Sequence, residues 1–328
     1  MKYRKLGSNG PSVSAIGMGR GNQPVKFDDE AAVKGFDAAI RRAYDLGINF
    51  FDSSDAYWGT RHEVLLGRAI KGFRNDVLIT SKFGNIDLPD GKKGTNGRPE
   101  YLSKCCDESL QRMGVDVIDL YYLHRVDPNV PIEETVGGMA RLIEQGKVRW
   151  IGICEAGPAT LRRAHKEHPI TALQTEYSLW FREVEQDILP ACRELGIGYV
   201  GYAPLGRGLL TGRIKSVDDL RESDRRRRHP RFQPDNLAKN LKLVAELEAM
   251  ARGQGVTAAQ LALAWIVAQG DTIVPIPGTN QAKNVELNAA AADIRLSGEP
   301  LARLNEIFAI GAGAGTRYNE NVLKGMGI

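Results

Sequence analysis

The chain has 328 residues, 42% of them hydrophobic, and a formal net charge of +4 at pH 7. This length accommodates one large domain or two ordinary ones, and the charge is too small to indicate a nucleic-acid or membrane partner. No apolar run approaches the roughly 20 residues of a membrane-spanning helix, and the N-terminus lacks the apolar segment of a secretion signal.

The cysteines, the basic residues and the histidines indicate the cellular compartment and the kinds of ligand to expect. The four cysteines show no CxxC spacing, so we expect reduced thiols and a cytoplasmic protein. The one dense basic cluster, 225–228, has no aromatic residues between its arginines. A solvated loop is therefore predicted there, with a nucleic-acid contact as the alternative. His165 and His168 lie on a charged helical segment and no HExxH motif occurs, so no metal site is predicted.

Strand-like and helix-like segments alternate along most of the chain. Residues 2–6 and 12–14 flank an Asn-Gly turn and predict an N-terminal hairpin. Strands are predicted at 15–19, 48–52, 77–82, 117–124, 150–154, 171–176, 198–202 and 272–275. Helices are predicted at 29–46, 62–70, 99–113, 132–145, 159–167, 187–195, 237–252, 256–269 and 282–291. Eight such units predict a (β/α)8 TIM barrel of the α/β class, with an open doubly wound sheet as the alternative.

Two segments depart from this alternation. Residues 206–235 form a polar, charged stretch of a length that is usually functional or disordered inside a compact domain. The glycine-rich tail, 309–328, follows the last predicted packing helix. We expect one barrel domain over 1–328, with 206–235 as a long loop and the tail near the mouth of the barrel.

Three of the predicted strands end in polar side chains suited to chemistry. Asp52 closes one strand and Tyr57 follows it; Lys82 and His124 end the next two strands. Active sites of (β/α)8 barrels are built at these carboxyl ends, so the four side chains are expected to meet.

In this order and spacing, Asp52, Tyr57, Lys82 and His124 resemble the catalytic tetrad of the aldo-keto reductases, and the resemblance runs from about residue 3 to residue 308. It implies a barrel enzyme that reduces aldehydes or ketones with NADPH. Tyr57 would be the general acid, and Lys82 would lower the pKa of its phenol. Asp52 would hold Lys82, and His124 would orient the carbonyl.

A nicotinamide cofactor is implied by the resemblance, although no GxGxxG motif precedes a helix. Residues 274–279 follow the last predicted strand and open a helix, where backbone N–H groups favour phosphate. The resemblance places Gly278, Thr279, Gln281 and Lys283 at the 2′-phosphate and Asn288 at the adenine. These positions imply NADP(H). Asn284 and Leu287 depart from the family pattern, so NAD(H) stays open as the alternative.

The remaining cofactor contacts are also carried over from the resemblance. The nicotinamide side would be lined by Gly19, Arg20, Asp52, Gln174 and Tyr202, with Cys154-Glu155 in place of a usual Ser-Asn pair. The pyrophosphate would be wrapped by Pro204, Leu205, Gly206, Arg207 and Gly208, and segment 206–235 would fold over the cofactor as a lid.

Further motifs resemble the pyridoxal reductase-like and plant alkaloid aldehyde reductase branch of the family. They are His124-Arg125, Ser178-Leu179-Trp180 and Arg317-Tyr318. They imply a substrate mouth formed by Trp58, Arg125, Trp180 and Tyr318, and an aromatic or bulky aldehyde as substrate.

Two other functions stay open. Relatives of this fold also bind nicotinamide cofactor without turnover and regulate a partner, and they can keep the tetrad. A metal-dependent barrel hydrolase or isomerase is the other alternative, although no ligand-spaced histidines support it. The sequence does not indicate an oligomeric state.

Overall fold

The computed structural model describes residues 1–88 and 91–323. The strands are β1 (Tyr3–Lys5), β2 (Ser12–Ser14), β3 (Phe50–Asp52), β4 (Leu78–Phe83), β5 (Asn85–Asp87), β6 (Lys93–Thr95), β7 (Ile118–Leu123), β8 (Val148–Cys154), β9 (Ala172–Glu176), β10 (Gly198–Tyr202) and β11 (Ile273–Pro275). Seven of them form one parallel sheet in the order β11-β10-β9-β8-β7-β4-β3. β1 pairs antiparallel with β2, and β5 with β6.

The two edge strands of the seven-stranded sheet are joined by residues 17–19. Met18 bridges to Phe51 and Gly19 bridges to Gly278, both in parallel register. The N–H of Gly17 donates to the carbonyl oxygen of Pro275 at 3.0 Å, which ties the segment to β11. Closure by this short segment confirms the predicted (β/α)8 barrel, and the open doubly wound sheet is wrong.

Helices surround the strands in chain order. They are α1 (Glu30–Asp45), α2 (Arg61–Ile70), α3 (Pro99–Met113), α4 (Ile132–Glu144), α5 (Pro158–Glu167), α6 (Ile188–Leu195), α7 (Pro234–Gly253), α8 (Ala258–Val267), α9 (Ala282–Ala290), α10 (Gly298–Ile307) and α11 (Glu320–Leu323). Local chemistry fixes several starts: Asp29 accepts from the N–H of Ala32, and Thr257 forms a capping box with Gln260. Among the described helices, none is long and apolar enough to cross a membrane.

The hydrophobic core has two main layers. Strand side chains that point outward pack against the helices. Inside the barrel, Phe50, Tyr122 and Val274 pack with Leu6 and Val13 of the N-terminal hairpin. The hairpin is tied to the barrel by Arg4, whose guanidinium donates to three backbone carbonyls at 2.7–2.9 Å. The hairpin therefore plugs the end of the barrel where the parallel strands begin.

Some elements differ from the sequence-based expectation. The predicted strand 15–19 is reduced to the two bridges at Met18 and Gly19. The β5–β6 hairpin and α10 were not predicted: the two strands are only three residues long, and Leu304 is the buried residue of α10. Residues 206–235 are not structureless: they contain short 3₁₀ helices at Gly206–Thr211, Val217–Asp219, Arg225–Arg228 and Pro230–Phe232, and α7 begins at Pro234. Of the predicted tail, 324–328 lie outside the described residues.

Candidate active site

The ends of β3, β4 and β7 bring the four predicted catalytic side chains together. Lys82 Nζ donates to both carboxylate oxygens of Asp52, at 2.8 and 2.6 Å, and to the carbonyl oxygen of Ser53 at 2.6 Å. Lys82 is fully buried and Asp52 is 2% exposed. A buried ammonium has three hydrogens to satisfy, and these acceptors leave it charged and fixed in place.

Two further side chains hold Asp52. Thr80 Oγ1 donates to Asp52 Oδ1 at 2.9 Å, and Gln174 Nε2 donates to the same oxygen at 2.7 Å. The amide nitrogen of Gln174 thus orders a carboxylate in this structure, and its expected contact with the cofactor amide stays a prediction. Thr80 was missed by the sequence analysis, although it lies two residues before Lys82 on one strand and so shares its face.

Tyr57 lies beside these charges. Its ring centroid is 4.9 Å from Lys82 Nζ and 4.7 Å from the guanidinium carbon of Arg20. The ring of His124 meets it edge-on, with 5.9 Å between centroids. Arg20 therefore joins the predicted four residues as a second cation at the phenol.

The electrostatics differ in one respect from the expectation. Burial raises the pKa of Tyr57 above its ordinary value, and the lowering by Lys82 and Arg20 does not overcome it. Lys82 lowers the phenol pKa as expected, but burial is the larger effect and the charge of Asp52 adds to it, so the net pKa is raised. Burial is the largest effect and lowers the pKa of Lys82, but the charge and hydrogen bond of Asp52, with Tyr57 and Cys154, together outweigh it and the net pKa is raised. Tyr57 is thus a protonated acid beside a permanent cation.

Two serines that follow β3 each contact a histidine. Ser54 Oγ lies 3.1 Å from His124 Nδ1, and Ser53 Oγ lies 2.8 Å from His62 Nδ1. Burial, aided by Arg125, Lys82 and Arg20, lowers the pKa of His124 well below its usual value. His124 is therefore neutral at physiological pH, and the hydrogen on its ring can occupy either nitrogen.

The predicted phosphate segment follows β11 and opens α9. A Cβ atom at Gly278 would lie 1.8 Å from the carbonyl oxygen of Arg20, so only glycine fits this crossing. Thr279 Oγ1 accepts from the N–H of Gln281 and from Asn284 Nδ2, both at 3.2 Å. Lys283 lies exposed on the first turn of α9, and Asn288 lies buried further along it. Asn284, which replaces the arginine expected from the resemblance, is therefore part of the segment's own hydrogen bonding.

An arginine missed by the sequence analysis reaches the same segment. Arg213 Nη2 donates to Asn284 Oδ1 at 3.3 Å, across 71 residues of chain. Arg213 lies within the predicted lid, 206–235, and its side chain is exposed. The segment is thus flanked by two exposed cations, Lys283 and Arg213.

Glu155, which replaces an expected asparagine, anchors the tail. It is fully buried, and its Oε1 accepts from Tyr202 Oη at 2.7 Å and from Arg317 Nη1 at 2.8 Å. Arg317 Nη2 lies 2.8 Å from Oε2 and completes the ion pair. Tyr202 Oη also lies 2.9 Å from Tyr318 Oη. The preceding residue, Cys154, is buried, and burial raises the pKa of its thiol to about 12. The tail therefore lies against the ends of β8 and β10.

Arg207 pairs with a carboxylate in this structure. Its Nη2 lies 3.3 Å from Glu176 Oε2, and Arg231 donates to the other oxygen of Glu176 at 2.6 Å. We expected Arg207 at the pyrophosphate within 204–208, a turn in which Gly206, Arg207 and Gly208 all have positive φ. The buried Glu176 attracts the guanidinium, and the assignment of 204–208 to the pyrophosphate stays a prediction.

Comparisons with known proteins now decide the family. The model of the aldo/keto reductase family matches residues 15–309. A probable aldo-keto reductase from soybean, Glycine max, is 45% identical over 317 residues, which are 96% of this chain and 91% of the relative. The chain belongs to the aldo/keto reductase family.

Solved structures agree with this family assignment. A glycerol dehydrogenase from Gluconobacter oxydans has a TM-score of 0.84 and 26% identity over 94% of this chain and 95% of its own. An aldo-keto reductase from Klebsiella pneumoniae, solved in complex with NADPH, has a TM-score of 0.75 and 27% identity over 97% of this chain and 99% of its own. Membership makes this protein an oxidoreductase of a carbonyl-reducing family.

The predicted substrate residues of the reductase have unequal exposure. Trp58 and Trp180 are only 7% and 4% exposed, packed against Phe36 and Phe308. The protein therefore covers most of both indoles in this structure. Arg125 is half-buried and donates to the carbonyl oxygen of its neighbour His124. The substrate mouth formed by Trp58, Arg125, Trp180 and Tyr318 stays a prediction.

Backbone strain in the reductase is concentrated at this end of the barrel. The non-glycine residues with positive φ among those described are Trp58, Thr60, Glu155, Ala203 and Arg207. All five follow the carboxyl end of β3, β8 or β10. Such conformations cost about 1–3 kcal/mol each and persist where surrounding structure imposes them, commonly at functional sites. In the described residues, no cluster of three His, Cys, Asp or Glu side chains could hold a metal ion.

Proposed function

We propose that this protein is an NADPH-dependent reductase of aldehydes or ketones in which Tyr57 is the general acid. The observation that carries the proposal is the buried Lys82–Asp52 pair with Lys82 Nζ 4.9 Å from the Tyr57 ring. A buried, fixed cation beside a phenol serves to stabilise phenolate as the proton leaves. Stability alone is a poor explanation for an ion pair at this position, since well-packed hydrophobic residues are often as stable as a buried ion pair.

Each side chain has a role in this proposal. Tyr57 Oη would donate its proton to the carbonyl oxygen of the substrate, and Lys82 and Arg20 would stabilise the phenolate that remains. Asp52, held by Thr80 and Gln174, would keep Lys82 charged and in place. When bound, the nicotinamide cofactor supplies the hydride. In alcohol oxidation Tyr57 would act as the base.

The residues present fit a dinucleotide phosphate. Gly278 leaves the chain crossing free of a side chain, the first turn of α9 presents backbone N–H groups, and Lys283 and Arg213 flank it as exposed cations. These groups would hold the 2′-phosphate, together with Thr279 and Gln281. A 2′-phosphate needs such cations and a ribose hydroxyl does not, which supports NADP(H) over NAD(H).

The substrate class and setting are proposed more broadly. An aromatic or bulky aldehyde is expected from the aromatic residues near the mouth, of which Tyr318 is half-buried and bonded to Tyr202. We expect one reductase domain over the whole chain, acting in the cytoplasm, where the four free, buried cysteines would stay reduced.

The test is Tyr57→Phe, assayed by NADPH consumption with an activated aromatic aldehyde. We expect kcat to fall by about 10²–10⁴-fold, while NADPH binding stays unchanged because the phenol hydroxyl is the only group removed. Tyr3→Phe is the matched control, since Tyr3 of the N-terminal hairpin is 53% exposed and its hydroxyl donates to the carbonyl oxygen of Gly47, outside the site.

Two results would contradict the proposal. If Tyr57→Phe keeps full turnover, Tyr57 is not the acid. If the unchanged protein binds NADPH tightly but reduces no carbonyl, the non-catalytic regulatory binder becomes the better function.

A further inference from the structure

In the loop that follows β3, hydrogen bonds run from Asp55 through Ser54 to His124. Ser54 Oγ lies 3.1 Å from Asp55 Oδ1 on one side and 3.1 Å from His124 Nδ1 on the other. Ser54 is fully buried and His124 is 9% exposed. Among the hydrogen bonds of the described residues, none uses His124 Nε2, so that nitrogen is free to meet a substrate.

The single hydrogen of the Ser54 hydroxyl restricts these hydrogen bonds to two arrangements. A serine hydroxyl has one hydrogen to donate and two lone pairs that accept. The N–H of Ala56 donates to Ser54 Oγ at 3.1 Å and occupies one lone pair. One hydrogen and one lone pair remain for Asp55 and His124 together, so one neighbour must donate to Ser54 and the other must accept from it.

The protonation of Asp55 selects the arrangement. An ionised carboxylate only accepts, so Ser54 donates to Asp55, and His124 donates from Nδ1 and presents a bare Nε2 lone pair. A protonated Asp55 donates to Ser54, Ser54 donates to Nδ1, and His124 carries its hydrogen on Nε2. The second arrangement has one more proton: it enters at Nε2 while the Nδ1 hydrogen passes to Ser54 and the Ser54 hydrogen passes to Asp55.

We propose that Asp55 and Ser54 are positioning residues that set the tautomer of His124, and that the arrangement with protonated Asp55 is the one that reduces carbonyls. Only a hydrogen on Nε2 can be donated to the oxygen of a substrate carbonyl. This role in turnover rests on the proposed reductase function. The coupling between Asp55 and the His124 tautomer does not.

The groups that surround Asp55 bring its pKa close to neutral pH. Burial, followed by the charge of Glu63, raises the pKa of Asp55 to about 7, against the lowering by Ser54 and Arg112. Glu63 is itself fully buried, bonded to Ser81 and ion-paired with Arg112 at 2.5 Å. The titratable groups that face Asp55 from the packed elements are Glu63 of α2, Tyr101, Cys105 and Arg112 of α3, and Tyr121 of β7.

The direct test is ¹⁵N NMR of histidine-labelled protein without cofactor, followed from pH 5.5 to pH 9. We expect the hydrogen of His124 to move from Nε2 to Nδ1 as pH rises through the titration of Asp55. Ser54→Ala should abolish this change. Ser53→Ala is the matched control: it should alter the His62 signals, because Ser53 bonds His62 Nδ1, and leave the His124 change intact. A His124 tautomer that is constant with pH overturns the proposal.

The second test measures kcat/KM for carbonyl reduction over the same pH range. The unchanged enzyme should lose about tenfold per pH unit above the Asp55 titration. Asp55→Asn should give a flat profile, because its amide does not titrate, with NADPH affinity as the check that the variant is folded. If Asp55→Asn keeps the pH dependence of kcat/KM, the proposal is overturned. If NMR shows the tautomer change but the protein reduces no carbonyl, the reductase function is wrong and the coupling between Asp55 and the His124 tautomer is supported.

Discussion

Lys82 and Asp52 are opposite charges almost wholly withdrawn from water, and such pairs are costly to break. Replacing Lys82 by Met leaves Asp52 as a buried carboxylate with no cation. We expect the free energy of unfolding to fall by about 3–5 kcal/mol, measured by urea denaturation. Lys34→Met is the control, because Lys34 lies 3.7 Å from Glu30 on the surface and should change stability by less than about 1 kcal/mol. Equal effects of the two substitutions would show that burial does not govern the pair.

Individual site residues could be predicted from the sequence where a local pattern determines their place in the fold. Asp52, Lys82 and His124 could be predicted because each follows a run of strand-forming residues. The same reasoning could have predicted Thr80, because strand residues two apart share a face. Glu155 was not, because its partner Arg317 lies 162 residues away and only the closed barrel brings them together. The pKa of Tyr57 also depends on burial that no motif encodes.

Among the elements, the C-terminal tail is held by few but well-buried contacts. Its backbone at Ala314 exchanges two hydrogen bonds with Asn240 of α7, at 2.9 and 2.8 Å. Beyond these, Arg317 pairs with Glu155 and Tyr318 bonds Tyr202. In 309–320 the large apolar side chains are Ile310, which is 42% exposed, and Tyr318, so we expect these polar contacts to control how tightly the tail is held.

The consequence is tested with Arg317→Met, followed by hydrogen–deuterium exchange of segment 309–320. We expect faster exchange there, by about tenfold or more, because loss of the cation leaves Glu155 buried and unpaired and favours local opening. Arg303→Met should leave this segment unchanged, since Arg303 pairs with Glu306 at the surface of α10. Unaltered exchange in Arg317→Met would mean that packing, and not the ion pair, holds the tail.

Elements were easier to predict than the connections between them. The strand 198–202 and the helix 99–113 have the predicted bounds. The segment 206–235 was expected as irregular loop, yet Leu209, Leu210 and Phe232 are buried within it. These apolar residues are too widely spaced to show a period, and tertiary packing folds the segment into short 3₁₀ turns.

For the molecule as a whole, closure of the barrel determines where a ligand can enter. The N-terminal hairpin fills one end through Leu6 and Val13. The short bridge from Gly19 to Gly278 closes the wall and brings the proposed phosphate segment next to Arg20 and the tetrad. A dinucleotide would therefore extend across the open end, from Tyr57 to α9, and its binding should stabilise the entire fold.

This stabilisation provides a test of the phosphate site that is independent of turnover. A ligand at 100 times its Kd stabilises a protein by about 2.7 kcal/mol, so thermal denaturation with NADPH or NADH reports the two affinities. We expect Lys283→Ala to weaken NADPH by about tenfold, or about 1.4 kcal/mol, and to leave NADH nearly unchanged, because only NADPH carries the 2′-phosphate. Lys71→Ala, an exposed lysine between α2 and β4 at the opposite end of the barrel, should alter neither. If Lys283→Ala weakens both cofactors equally, Lys283 does not contact the 2′-phosphate.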